Sequence, residues 1–117
     1  MAIIESLGDA RERVELAAVF HALADPTRLL ILEHLRTGEH RVKDLTEHLG
    51  LAQSTVSAHL ACLRDGGLVS ARSQGRASYF SLVDEQRIAR LLAEAGAAAQ
   101  PRGHEWHEHH IEHAEGS

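Results

Sequence analysis

Apolar residues in the stretch 42–69 fall at helical spacing in two sets, Val42, Leu45 and Leu49, then Val56, Leu60 and Leu63. One apolar residue per turn gives each segment a single buried face. Between the sets, Gly50 supplies the freedom for a sharp turn, and Leu51 follows it as a hydrophobic plug. The second helix opens with Gln53, Ser54, Thr55, Ser57 and His59 on its free side. A solvated helix of this length usually carries Lys and Glu there. Uncharged hydrogen-bonding side chains of modest size instead suit base edges and phosphates in a major groove. The pattern predicts a helix-turn-helix that reads DNA, with a plain helical hairpin as the alternative.

Upstream, residues 14–24 read as an apolar helix with Leu16, Val19, Phe20 and Leu23 on one stripe. Asp25 is placed to cap the next helix, 26–36, and Pro26 sits in its first turn, where a missing N–H costs nothing. That helix is expected to bury Leu29, Leu30, Leu32 and Leu35 and to end at Gly38. Downstream, 68–73 and 77–82 alternate like strands around Gln74-Gly75-Arg76, which makes a hairpin or wing. Arg72 at its base and Arg76 at its tip are candidates for backbone phosphate or the minor groove; the alternative is solvated hairpin charge. Arg64, at the end of the second helix of the pair, joins them as a candidate DNA contact. A last helix begins at Asp84 and runs to about residue 99, with Ile88, Leu91, Leu92 and Ala95 as its stripe; Pro101 and Gly103 stop it.

Composition changes this picture in one respect. A chain of 117 residues with 44% hydrophobic side chains but only one Trp, one Tyr and two Phe has a thin core for a monomer, so pairing is expected. The division is 1–100 for DNA binding and dimerisation and 101–117 for a polar tail. The formal charge of −5 is unevenly spread. Glu105, Glu108, Glu112 and Glu115 weight the tail, whereas Arg36, Arg41, Lys43, Arg64, Arg72 and Arg76 outnumber the acids around the helix pair and wing. No apolar run suits a membrane span and no export signal precedes the first helix. A single cysteine, Cys62, makes no internal disulfide, which favours a cytoplasmic setting. Cys62 reads as a small core residue or, alternatively, a metal ligand. No Ser, His and Asp set or Gly-rich phosphate loop suggests an enzyme. His109-x-x-Glu112-His113 matches a short metalloprotease signature but lacks the pocketed catalytic domain that chemistry needs.

The order helix, Asp25-Pro26-Thr27-Arg28, Ser54-Thr55-Val56-Ser57-Ala58-His59-Leu60, Gly67-Leu68-Val69, Gly75-Arg76 and Tyr79-Phe80-Ser81-Leu82 resembles the ArsR/SmtB family of winged-helix repressors. The resemblance spans roughly 14–92. It implies a mainly α winged helix-turn-helix with a small β-hairpin, a homodimer through the first and last helices, and repression at palindromic double-stranded operators released by an inducer. The family's sensor positions differ here. Where its arsenic and cadmium sensors carry Cys-Val-Cys, this chain has Arg41-Val42-Lys43, and two cations cannot hold a soft metal ion. Asp84 matches one ligand of the zinc sensors, but its expected partners are Gln86, Ala97 and Gln100, so a helix cap is the simpler role. Cys62 matches one ligand of a cadmium and lead sensor subtype, while its expected partner is Gly66.

The tail holds His104, His107, His109, His110 and His113 among Glu105, Glu108 and Glu112. In a helix, His109 and His113 would lie one turn apart and could share one ion. Imidazole and carboxylate donors suit zinc, nickel or cobalt better than copper(I), cadmium or mercury, and nickel and cobalt sensors of the resembling family extend histidines past the last helix. The alternative is a solvated tail. Trp106 and Ile111 are the residues able to anchor it. Three functions follow: a metal-responsive repressor sensing through the tail, a winged-helix repressor indifferent to metal, or a metal-buffering or interaction module.

Overall fold

The computed structural model describes residues 9–99. In chain order these are α1 (Ala10–Leu23), α2 (Pro26–Leu35), β1 (His40–Arg41), α3 (Val42–Leu49), α4 (Gln53–Asp65), β2 (Val69–Gln74), β3 (Ala77–Leu82) and α5 (Glu85–Ala98). Residues through Asp84 form one compact unit and those from Glu85 a second.

Local chemistry sets most of the boundaries. The Asp9 carboxylate accepts from the Arg11 N–H at 2.8 Å and starts α1 four residues before the expected Val14. Asp25 accepts from the Arg28 N–H at 3.0 Å and Pro26 occupies the first turn of α2, as the spacing predicts. Gly50 ends α3 in the left-handed region, φ 67°, its N–H donating to the Thr46 carbonyl at 2.9 Å. In the wing, Gln74 pairs with Ala77 across Gly75 and Arg76. Gly75 has φ 62° while Arg76 stays at negative φ, the pattern of a type II′ turn.

The core of this unit is drawn from every helix but thinly from α1. Its buried residues are Ile31, Leu32 and Leu35 of α2, Leu45 of α3, Val56, Leu60 and Leu63 of α4, and Leu68, Val69 and Phe80 around the wing; α1 adds only Ala22. The helix-turn-helix spacing therefore placed Leu45, Val56, Leu60 and Leu63 correctly, while Val42 and Leu49 are half-buried. In α2 the inward side is turned from the one expected: Ile31 is fully buried, and Leu29 and Leu30 are exposed. A run of apolar residues at 29–32 has no period of its own, so the face is chosen by packing. The wing is also wider than a hairpin. The antiparallel sheet has the order β1-β3-β2, with His40 opposite Phe80 and Arg41 opposite Tyr79. Two residues show no alternation, so β1 is formed by its partner strand and not by its own sequence.

Candidate nucleic-acid interface

With Val56, Leu60 and Leu63 packed inward, the opposite side of α4 presents Gln53, Ser54, Thr55 and Ser57, all exposed. Arg64 is exposed at the helix end. His59 departs from this group. Its side chain is only 19% exposed, with Nδ1 3.3 Å from the Arg28 guanidinium and 3.9 Å from the Asp25 carboxylate. The same guanidinium donates to the carbonyls of Ala22 and His21 at 2.8 Å each, at the end of α1, where His21 also accepts from the Ala24 N–H. His59 thus faces the junction of α1 and α2, one flank around from the exposed polar residues. Two residues on from Ser57, His59 is turned about 200° around the helix, a separation that the spacing itself contains.

The wing places its two arginines differently. Arg72 lies mid-strand, not at the base of the hairpin. Its guanidinium donates to Glu39 at 2.7 and 2.8 Å and to Gln74 at 2.7 Å, and stands 4.7 Å from the Tyr79 ring centroid. Bonding to Arg72 holds the Glu39 carboxyl below the usual range and raises Arg72 in turn. Arg76 is exposed at the tip with no side-chain partner among the described residues.

Between the wing tip and the start of α3 lies an open cleft of about 380 Å³ lined by Arg41, Val42, Lys43, Gln53, Arg76, Ala77 and Ser78. Arg41 is positioned by Asp44, whose carboxylate accepts from the Arg41 N–H at 3.0 Å and from its guanidinium at 3.1 and 3.3 Å. That bonding lowers the Asp44 pKa and raises that of Arg41. Lys43 is exposed, and its ammonium has no side-chain partner among the described residues. In the sequence, Arg41 and Lys43 stand out as replacements for ligands and as part of the basic balance around the helix pair, but not as neighbours of Arg76. The excess of cations over acids around the helix pair was the available signal.

No metal centre is formed by the described residues. Among them no group of three or more His, Cys, Asp or Glu side chains is arranged to hold an ion. Cys62 is a free, half-buried thiol. Its expected partner position is closed, because a Cβ on Gly66 would lie 2.9 Å from the Ala22 Cβ and 3.1 Å from the Ala18 carbonyl oxygen. Asp84 is exposed immediately before α5. His34, His40 and His48 do gather, with ring centroids 5.8 and 5.7 Å apart. Nδ1 of His34 and of His40 meets the Leu30 and Gly38 carbonyls, so these contacts order the rings against the backbone. His104, His107, His109, His110 and His113, with Trp106 and Ile111, lie outside the described residues.

Comparison with known proteins agrees with this geometry. Residues 25–71 match the family described as bacterial regulatory protein, arsR family. The chain is 44% identical over 88 residues to a probable mercury resistance operon repressor of Streptomyces lividans, covering 71% of this chain and 70% of that one. It is also 44% identical over 87 residues to the HTH-type transcriptional regulator NmtR of Mycobacterium tuberculosis, covering 74% and 72%. Among solved structures, a homodimeric winged helix-turn-helix DNA-binding domain from Mycobacterium bovis, a possible ArsR-family regulator, superposes with a TM-score of 0.70 at 32% identity. That match covers 81% of this chain and 90% of the other.

Proposed function

Because the chain belongs to the arsR family of bacterial regulatory proteins, which are DNA-binding transcriptional regulators and not enzymes, we propose that it is a cytoplasmic homodimeric repressor of palindromic operators, released by a divalent metal ion. The observation that carries the DNA-binding part is the division of α4. Val56, Leu60 and Leu63 anchor it, while Gln53, Ser54, Thr55 and Ser57 are left exposed for a major groove. Arg64 and Arg76 extend this surface to the DNA backbone, with Arg72 held in reserve by Glu39. His59 serves as a support for α4 at the α1–α2 junction and is not part of the reading face.

Dimerisation is supported by α1, where Val14 and Phe20 are 69% and 57% exposed in the isolated chain. A seam built from α1 and α5 would cover them, and two α4 helices would then enter successive major grooves about one helical turn apart. Support for metal comes from the donors available. Mercury and other soft ions call for thiolates, and this chain offers one cysteine beside a closed Gly66 position. The tail offers His104, His107, His109, His110 and His113 with intervening glutamates, a set suited to zinc, nickel or cobalt. Asp84 and Cys62 are the secondary candidates.

The test is titration of an operator selected from random-sequence duplexes, with and without each ion. Metal is expected to lower affinity roughly 5- to 150-fold, the range of ordinary coupling energies. A chain ending at residue 102 should bind the operator normally and lose the response. A response that persists in the shortened chain would remove the tail from the sensor. Affinity unchanged by any of the three ions would favour a repressor indifferent to metal. No selected sequence at all would favour a metal-buffering module.

A further inference from the structure

We propose that Arg28 is a positioning residue for operator recognition, tying the end of α1 to the reading helix α4 through the His59 imidazole in its neutral form. The inference rests on the proposed DNA-reading role of α4 and deepens it by naming what sets, and what regulates, the direction of that helix.

Three observations carry it. First, one guanidinium serves two helices besides its own. Nε and one terminal nitrogen donate to the Ala22 and His21 carbonyls of α1, and the other terminal nitrogen stands 3.3 Å from Nδ1 of His59 on α4. Second, α1 meets α4 again at Gly66, just past the end of α4, where the Ala22 side chain and the Ala18 carbonyl leave no room for a Cβ. Ala22 takes part in both contacts, by its carbonyl in one and by its side chain in the other. A helix held at one point can pivot, whereas a helix held at two has a fixed direction.

Third, the Arg28 contact selects the state of the ring. A guanidinium has donors only, so this contact is a hydrogen bond only while Nδ1 carries a lone pair. A protonated ring presents an N–H there, which Arg28 repels and the Asp25 carboxylate, 3.9 Å away, attracts. The same carboxylate oxygen accepts the Arg28 N–H at the cap of α2. One proton thus draws the ring from Arg28 toward Asp25 and undoes the link to α1. Arg28 and Asp25 are the charged groups that α2 and its cap bring to the ring, and α1 brings the His21 and Ala22 carbonyls to Arg28, with His21 itself exposed. Among the described residues, no hydrogen bond or ion pair joins His59 to α3 or the wing.

The experiment measures the preference of the full chain for a selected operator over a mixed-sequence duplex, at about pH 8 and about pH 5.5 and constant ionic strength, a span in which imidazoles ordinarily change charge. Arg28→Lys keeps the charge but not the fork, and His59→Leu removes the acceptor. His59→Asn puts in the place of Nδ1 an oxygen that accepts at either pH. Thermal melting and sedimentation equilibrium establish that each variant is folded and associates as the unsubstituted chain does. At the higher pH, operator preference should fall roughly 5-fold or more in Arg28→Lys and in His59→Leu, and no further in the double variant, because both break one tie. His59→Asn should match the unsubstituted chain at the higher pH and surpass it by a similar factor at the lower one. Comparison at each pH cancels the titration of the other histidines. Losses that multiply in the double variant overturn the tie, and so does a pH profile that His59→Asn shares with the unsubstituted chain. A folded Arg28→Lys dimer with full operator preference leaves these bonds a merely structural role and overturns it too. A loss that comes with dissociation into monomers overturns it as well, since the seam and not the direction of α4 is then at fault. If Arg28→Lys fails to fold, the contrast between His59→Leu and His59→Asn decides. If the unsubstituted chain prefers no sequence at either pH, the DNA-reading role of α4 fails and the tie falls with it.

Discussion

Helices α1 and α4 are nearly equal in length, 14 and 13 residues, yet they solve opposite problems. α4 buries Val56, Leu60 and Leu63 within its own chain and spends its other side on small polar residues. α1 buries only Ala22 and leaves Val14, Leu16 and Phe20 exposed. The polar side of α4 has a completed core behind it and is free to be a surface. The apolar residues of α1 have no cover inside the compact unit, which is the physical ground for the proposed dimer. One helix is finished by folding and the other by association.

The largest expected effect tests the first half of that contrast. Leu60→Ala removes a side chain that is 1% exposed and should cost about 2–5 kcal/mol, read from denaturant unfolding. The same truncation at Leu16, 38% exposed, should stay within about 0.5 kcal/mol at concentrations where the chain is monomeric. Equal losses at the two positions would erase the distinction between the helices. The second half is tested by Phe20→Asp. A carboxylate at a position 57% exposed leaves the monomer folded but cannot be buried at an apolar seam. Sedimentation equilibrium should show a monomer, and operator affinity should fall by roughly 100-fold or more as the second half-site contact is lost. A variant that remains dimeric would place the seam elsewhere.

What the sequence made legible follows the same division. Elements completed by local chemistry were readable: the Asp25 cap, the Gly50 turn, the buried triplet of α4 and the Gly75 turn of the wing. Features made by contacts distant in sequence were not. β1 exists because His40 and Arg41 pair with β3, some forty residues on. Ile31 displaces Leu29 and Leu30 from the core because α4 and the wing fix which side of α2 faces in. His59 is turned about 200° from Ser57 on the helix, but its partners Arg28 and Asp25 are distant in sequence and were not legible. The cleft joins residues 41, 43, 53 and 76, a set that no periodicity connects. Of the candidate site, the exposed face of α4 was legible and the cationic cleft was not.

A smaller effect is expected where the two helices meet. Gly66 follows α4 at a point where Ala22 and Ala18 of α1 leave no room, so Gly66→Ala must move one helix or the other. The cost should be about 1–3 kcal/mol by thermal or denaturant unfolding, as for an overpacked core. A neutral result would mean that α1 is free to shift, and its docking against α4 would no longer define which of its residues stay exposed.

The smallest effect concerns the wing. Glu39→Gln removes a carboxylate whose pKa is held low by bonding to Arg72. A lowered folded-state value means that the pair's contribution is present above the usual glutamate range and is lost as pH falls through the lower folded value. The melting temperatures of the two proteins should therefore differ slightly at neutral pH and converge in acid, and high salt should narrow the gap at any pH because the pair is exposed. The DNA readout is the more informative one. Releasing Arg72 from Glu39 frees a cation on the wing while leaving the apolar packing of α4 untouched. Affinity for a mixed duplex should rise a few-fold at low salt, and the salt slope should steepen by up to about 0.9. An unchanged slope would mean that Arg72 belongs to the sheet, through Tyr79 and Gln74, and that Arg76 alone carries the wing's contact with the backbone.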